Sequence, residues 1–422
     1  MLRLIILSII SLVSLTSAKD PNILAEGILG YEYPNMKSYE LKSWAIRQQS
    51  NIPGWFWVNG KYALGKQCGS SSYENFNAWD WAVAMQSLVD AVKATNNQTW
   101  IDEMKLVYTG LEDFYNSNVG AYSVTTAKNT DIDLDDNAQI ASSFITAYET
   151  TGNTTYLNRG RSLVEFLENG WNSKHGGVDW DYSGGYIATI STTESALAAL
   201  RLYRASDKNQ THIEFADKCL RWLFETLWDN STNLLFDGYS TTSNSIDKHH
   251  YTYHMGTALS LATYLYNFTK EEYYLESAKL LADSSINRNS PIFNRDLADN
   301  YRFWYDGVNF TQLMFEGMVD YVTTITPTNL SMIHEIKRQI RYFIDVTWDP
   351  TNDGYFADPN GYQNSHLTTV IWNEATGRSE PWTADLSEYC SSSSSNRPEF
   401  RLLYEASMAR CLWQAVKIAK YV

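Results

Sequence analysis

The chain has 422 residues, a net charge of −15 and 44% hydrophobic residues, which is enough apolar material to bury a large core. So acidic a balance argues against nucleic acid and anionic membrane surfaces as partners, because their phosphates reward Lys and Arg. Four cysteines are too few for a disulfide scaffold at this length, and their spacing matches no zinc motif.

Residues 1–18 read as a secretory signal peptide: Arg3 gives a short basic start, an apolar stretch follows, and Thr16-Ser17-Ala18 offers a small-residue cleavage site. The apolar run is too short for a membrane span, and the end of the chain reads as an amphipathic helix rather than a lipid-anchor tail. The expectation is a secreted or endolysosomal glycoprotein without a membrane anchor, monomeric, with residues 19–422 as one catalytic domain.

Apolar residues recurring at three and four positions predict helices near 37–49, 77–94, 99–115, 136–150, 154–168, 192–205, 211–226, 251–266, 271–285, 310–324, 331–346 and 399–418. Two markers repeat along them with a period near 60 residues. Glycosylation sequons at Asn97, Asn153, Asn209, Asn267 and Asn329 are separated by 56, 56, 58 and 62 residues. An aromatic followed by Asn or Asp opens a loop at Tyr115, Trp171, Trp228 and Trp348, with gaps of 56, 57 and 120. Twelve alternating helices without polar end caps predict an all-α fold, a closed (α/α)6 toroid of six helical hairpins. Its long, aromatic-rich loops would meet at one end, before the inner helices. Cys68 and Cys390 fall in predicted loops and form a candidate pair, whereas Cys219 and Cys411 fall in helices.

Before the second inner helix stands Asp131-Ile-Asp-Leu-Asp-Asp136, four aspartates in six residues. Glycoside hydrolysis needs one ionised and one protonated carboxyl, and adjacent Asp135 and Asp136 supply the means. The helix start favours an anion on one, while mutual repulsion raises the pKa of the other. Competing readings are an N-cap at Asp135, a solvated acidic loop, and calcium at Asp131, Asp133 and Asp135. An EF-hand is disfavoured, since Asp136 and Ser142 occupy the places that need Gly and Glu.

Asp135-Asp136-Asn137-Ala138, Gly176-Gly177-Val178-Asp179-Trp180-Asp181 and Tyr251-Thr252-Tyr253-His254-Met255-Gly256 lie in successive repeats. Together they resemble, in order, three motifs of glycoside hydrolase family 76, the endo-α-1,6-mannanases. The resemblance implies a retaining mechanism with Asp135 as nucleophile and Asp136 as general acid/base, acting on an α-mannan-like polysaccharide. His254 and Met255 stand where the family motif has Asn and Gln, which leaves the sugar specificity open. Alternatives are a mannan transglycosidase, an α/α-barrel hydrolase of another polysaccharide, and a non-catalytic glycan-binding protein.

Trp180, Tyr186, Tyr251 and Tyr253 are expected to contact sugar, against a competing role in packing the barrel mouth. His254 and Asp80 are added as substrate-side residues, Asp80 because it lies between Trp79 and Trp81. Trp55, Trp57, Trp304 and Trp382 are further aromatics on the same side. His249, His250 and His254 lack the partners of a metal set, and neither a phosphate loop nor a G-x-S-x-G elbow is present. No metal and no cofactor is therefore expected.

Overall fold

The computed structural model describes residues 38–62, 77–206, 208–356, 358–383, 390 and 399–421. The expected signal peptide and Cys68 lie outside the described residues. Cys390 is disulfide-bonded, while Cys219 and Cys411 are free and buried.

Thirteen α-helices are described. They are α1 (Ser38–Phe56), α2 (Ala78–Thr95), α3 (Gln98–Leu111), α4 (Leu134–Thr151), α5 (Thr154–Asn169), α6 (Thr189–Ala205) and α7 (Gln210–Trp222). After them come α8 (Thr252–Thr269), α9 (Glu272–Ser285), α10 (Val308–Thr324), α11 (Leu330–Thr347), α12 (His366–Thr376) and α13 (Leu402–Ile418). Six of them, α2, α4, α6, α8, α10 and α13, pack each on the next as an inner ring, and α13 returns to α2. The outer helices pack on the inner ones, with α1 covering α13, so the two ends of the described chain close the toroid. This is the predicted (α/α)6 architecture. The structure adds α12, which the periodicity did not predict, between the last outer and last inner helix.

Both sequence markers have a local physical cause. Asn97, Asn153, Asn209 and Asn329 are N-caps of outer helices, their side chains accepting the N–H groups of Thr99, Thr155, Thr211 and Met332. Asn267 is different and lies inside α8. The aromatic-Asn/Asp marker is a tight loop built the same way four times. In each, the Asn or Asp side chain accepts the N–H two residues on, at Asn118, Lys174, Ser231 and Thr351. Its carbonyl accepts the N–H four residues on, where φ is positive at Gly120, Gly176, Asn233 and Asp353.

The inner helices are buried nearly all round, as α6 shows, where every residue from Thr189 to Leu202 is buried. They approach most closely at α8 and α10. A Cβ on Gly256 would lie 2.4 Å from the Leu313 carbonyl oxygen, and one on Gly317 would lie 2.0 Å from that of Gly256. The glycine that ends the third sequence motif is therefore set by helix packing. A three-stranded antiparallel sheet, β1 (Tyr186–Ala188), β2 (Gly238–Ser240) and β3 (Ser245–Asp247), lies at the N-terminal end of the inner ring. It brings the loops before α6 and α8 together.

Candidate active site

A cleft of about 670 Å³ opens at the N-terminal ends of the inner helices, lined in part by Asp135, Asp136, Trp180, Tyr186, Tyr251 and Tyr253. It is where the sequence placed the long loops.

The N-cap of α4 is Asp133, whose side chain makes no capping bond, so Asp135 and Asp136 fall in the first helical turn. The helix start is held from two sides. Buried Asn137 accepts Tyr122 N–H at 2.7 Å and donates to the Tyr122 carbonyl at 2.8 Å. The Gly176–Asp181 loop pairs with the turn, Leu134 N–H donating to the Trp180 carbonyl at 2.7 Å. Gly177 has φ +72°, and a Cβ there would lie 2.7 Å from the Trp222 ring, so the loop needs glycine on both grounds.

The two carboxyls differ in surroundings. Asp135 Oδ1 accepts the Asp136 N–H at 3.0 Å, and Oδ2 accepts Trp180 Nε1–H at 3.3 Å. Burial and the neighbouring Asp133 raise its pKa to about 7, against these donors. Asp136 is 9% exposed, and among the described residues none donates a hydrogen bond to its carboxyl. Burial, then Asp135, Asp133 and Asp80, push its pKa well above the carboxylate range. Asp135 is therefore the first of the pair to ionise, and Asp136 keeps the proton.

Around the pair runs a belt of aromatics. Trp79 stacks on Phe310 at 6.2 Å, Phe310 meets Tyr253 at 4.8 Å, and Tyr253 stacks on Tyr251 at 5.3 Å. Trp180 is 42% exposed, its ring available beside Asp135. Such faces pack on sugar C–H groups. A further carboxylate, Asp237, lines the cleft just before β2. It accepts the Tyr186 hydroxyl, and the Tyr253 hydroxyl at 3.5 Å, while His254 Nε2 lies 3.2 Å from its Oδ1. Burial works against its charge, but the donors from His254, Tyr186 and Tyr253 outweigh it and hold the carboxyl below its usual pKa.

The structure thus brings together Asp135, Asp136, Trp180, Tyr186, Tyr251 and Tyr253. It does not bring His254 or Asp80 to the cleft wall. His254 is 0% exposed, and its Nε2 lies 3.2 Å from Asp237, which does line the cleft. The Asp80 carboxylate turns back to accept the Asn77 N–H at 2.9 Å, as a capping-box residue does. Its influence is electrostatic, through Asp136. Trp55, Trp57, Trp304 and Trp382 are not lining residues either, and Trp304 is 1% exposed in the core. Asp237, Trp79 and Phe310 were not singled out in the sequence. Trp79 adjoins the residue that was, one step and about 100° round the helix. Among the described residues no three or more His, Cys, Asp or Glu side chains converge as a metal site would need.

An (α/α)6 toroid with a paired-carboxylate, aromatic-lined cleft at its helix N-termini defines a carbohydrate-active enzyme, a glycoside hydrolase. The sequence profile of glycosyl hydrolase family 76 matches residues 48–385, and the chain belongs to that family. It is 26% identical over 372 residues to the meiotically up-regulated gene 191 protein of Schizosaccharomyces pombe, covering 81% of this chain and 84% of that protein. It is also 26% identical over 226 residues to the mannan endo-1,6-alpha-mannosidase DCW1 of Candida albicans, a match that spans only 49% of either chain. Among solved structures, the GH76 α-mannanase of Bacteroides thetaiotaomicron superposes with a TM-score of 0.70 at 18% identity, over 92% of this chain and 98% of that one. An inactive variant of the α-1,6-mannanase of Salegentibacter sp. HEL1_6, changed at two adjacent aspartates and bound to α-1,6-mannotriose, superposes with a TM-score of 0.69 at 19% identity. That match covers 90% of this chain and 99% of the other.

Proposed function

We propose that the protein cleaves α-1,6-mannosidic linkages within mannan chains by a retaining mechanism. The observation that carries the reading is the adjacent pair Asp135 and Asp136, with unequal proton affinities, at a helix start inside an aromatic-lined cleft. Asp135, the first to ionise, attacks the anomeric carbon, and Asp136 protonates the leaving oxygen. In the second step Asp136 takes a proton from water, and the hydroxide equivalent displaces Asp135 from the sugar. A sugar hydroxyl in place of water would give transglycosylation by the same chemistry.

The substrate assignment is supported by relatives named as mannan endo-1,6-alpha-mannosidases and by the mannotriose bound to a structural neighbour. That neighbour was inactivated at two adjacent aspartates, which supports the same pair here. Residues 1–18 and the exposed sequons at Asn97, Asn153 and Asn209 support passage through the secretory pathway. The residues 19–422 are assigned to one catalytic domain.

Reducing-end release from linear α-1,6-mannan by the wild type, Asp135→Asn and Asp136→Asn tests the reading, with folding of all three checked. Activity in the wild type and near-complete loss in both variants is expected. A folded but inert wild type would remove this substrate.

A further inference from the structure

The third sequence motif departs from the family at His254 and Met255, and the structure moves both departures out of the cleft. Each is 0% exposed. Met255 is core packing. His254 is a polar group buried in the first turn of α8, edge-on to Tyr253 at 4.3 Å and to Tyr251 at 5.4 Å. Its Nε2 lies 3.2 Å from Asp237 Oδ1, a contact bent away from ideal hydrogen-bond alignment. The start of α8 is itself fixed, since Thr252 gives both its N–H and its hydroxyl to Asp306 Oδ2 at 2.7 Å. The imidazole is thus held on a pinned helix end, with the Asp237 carboxylate between it and the cleft.

Asp237 accepts the hydroxyls of Tyr186 and Tyr253 from the protein side, and His254 Nε2 stands 3.2 Å from its Oδ1 without forming a hydrogen bond in the ligand-free geometry. The two tyrosines line the cleft, whereas His254 is enclosed. A carboxylate has about four lone-pair positions, so one or more remains to face the cleft.

We infer that His254 is a positioning residue, which donates from Nε2 to Asp237 and so fixes the carboxylate in the orientation that accepts a hydroxyl of the bound sugar. The inference rests on the glycosidase reading and deepens it. Apo contacts of this kind tighten when substrate completes the site. The departure from the family motif then alters what supports the cleft, and through Asp237 it alters which sugar hydroxyl pattern is preferred.

The test has two arms. Steady-state kinetics on α-1,6-mannan compares the wild type with His254→Leu, His254→Gln, Asp237→Asn and the Leu/Asn double variant. Loss of an orienting partner is expected to lower kcat/KM on the order of 10- to 100-fold, mostly through KM. His254→Gln, whose amide nitrogen falls near the imidazole Nε2, should recover most of it. His254→Leu should add almost nothing to Asp237→Asn. Wild-type kinetics in His254→Leu would overturn the inference. So would equal losses in the Leu and Gln variants that add in full to Asp237→Asn, since they mark a packing role. The second arm follows the side-chain nitrogens of 15N-histidine-labelled protein by NMR. A His254 Nε2–H signal that shifts in Asp237→Asn is expected, and an unmoved signal overturns the pairing. A wild type inert on mannan would sink the substrate assignment alone, because the NMR arm still decides the pairing.

Discussion

Holding a proton on Asp136 at neutral pH opposes folding, and its removal should make the protein more stable while abolishing activity. The folded state raises the pKa of Asp136 well above its ordinary value of 3.8, through burial first and then Asp135, Asp133 and Asp80. A group with a raised folded pKa binds its proton more tightly in the native state. Its favourable contribution is therefore complete below the unfolded pKa and is lost as pH rises toward the folded one. Between about pH 4 and pH 7 each unit amounts to about 1.4 kcal/mol, so the upper bound at pH 7 is about 4 kcal/mol. Local relaxation and water entry reduce this to about 1–3 kcal/mol. Asp136→Asn removes the titration and keeps the shape, so its Tm should exceed that of the wild type by about 1–4 °C at pH 7. The gap should narrow steadily toward pH 4, because the unfolded carboxyl takes up its proton as pH falls to its ordinary value of 3.8. Other buried acids with raised pKa values, such as Glu194 and Glu405, are present in both proteins and cancel in the difference. Thermal melts of both proteins from pH 4 to 8 measure it. Parallel Tm curves over that range would refute the assignment of the proton to Asp136.

Trp180→Phe keeps a ring at the cleft but removes the donor to Asp135 Oδ2, 3.3 Å away. Because the donor stabilises the ionised form, the acid limb of the kcat/KM profile should move up by about half a pH unit, with the alkaline limb unmoved. The shift is small because Trp180 is 42% exposed. Gly256→Ala puts a methyl 2.4 Å from the Leu313 carbonyl and should cost about 3 kcal/mol, read as a lowered urea midpoint. If the midpoint holds, the α8–α10 approach is looser than described. In unglycosylated protein Asn153→Ala should lose about 1 kcal/mol and Asn153→Asp almost nothing, since Asp also caps. Equal losses would deny the cap.

The toroid was legible because its markers are local chemistry repeated once per hairpin. Four of the five sequons that set the period are helix caps, and every aromatic-Asn/Asp pair opens the same tight loop. The helix that was missed carries neither marker. Helix α12 has its own cap at Ser365 and its stop at Gly377, but it is only 11 residues long and falls inside the one stretched repeat. Its Val370 is 50% exposed, so no clean apolar stripe announced it. In the site, Asp135 and Asp136 were legible because two adjacent acids at a helix start are a local pattern. Asp237 was not, since its meaning comes from Tyr186, 51 residues away, and from His254. Asp80 was chosen because it lies between Trp79 and Trp81, and His254 because it stands in the third motif where the family has Asn. A helix turns side chains by about 100° per residue, so the neighbour of a cleft residue usually faces elsewhere.

The fold also explains how two adjacent acids keep different protonation states without a cation beside them. Among the described residues no Lys or Arg lines the cleft. A guanidinium in contact with the pair would lower both pKa values and discharge the proton that the proposed mechanism asks Asp136 to deliver. Asp135 is instead favoured by weaker, directional groups: the Asp136 N–H, the Trp180 indole N–H and the N-terminal end of α4. The helix end acts on both acids, but the two N–H groups act on the carboxylate they point at and little on its neighbour, so they separate the pair where a point charge would not. An inner-ring helix suits this purpose, because its first turn meets the cleft while Asn137, one residue beyond the pair, is locked to Tyr122 in the core. The opposing demands fall on consecutive residues, destabilising chemistry on Asp135 and Asp136 and a fully bonded anchor on Asn137.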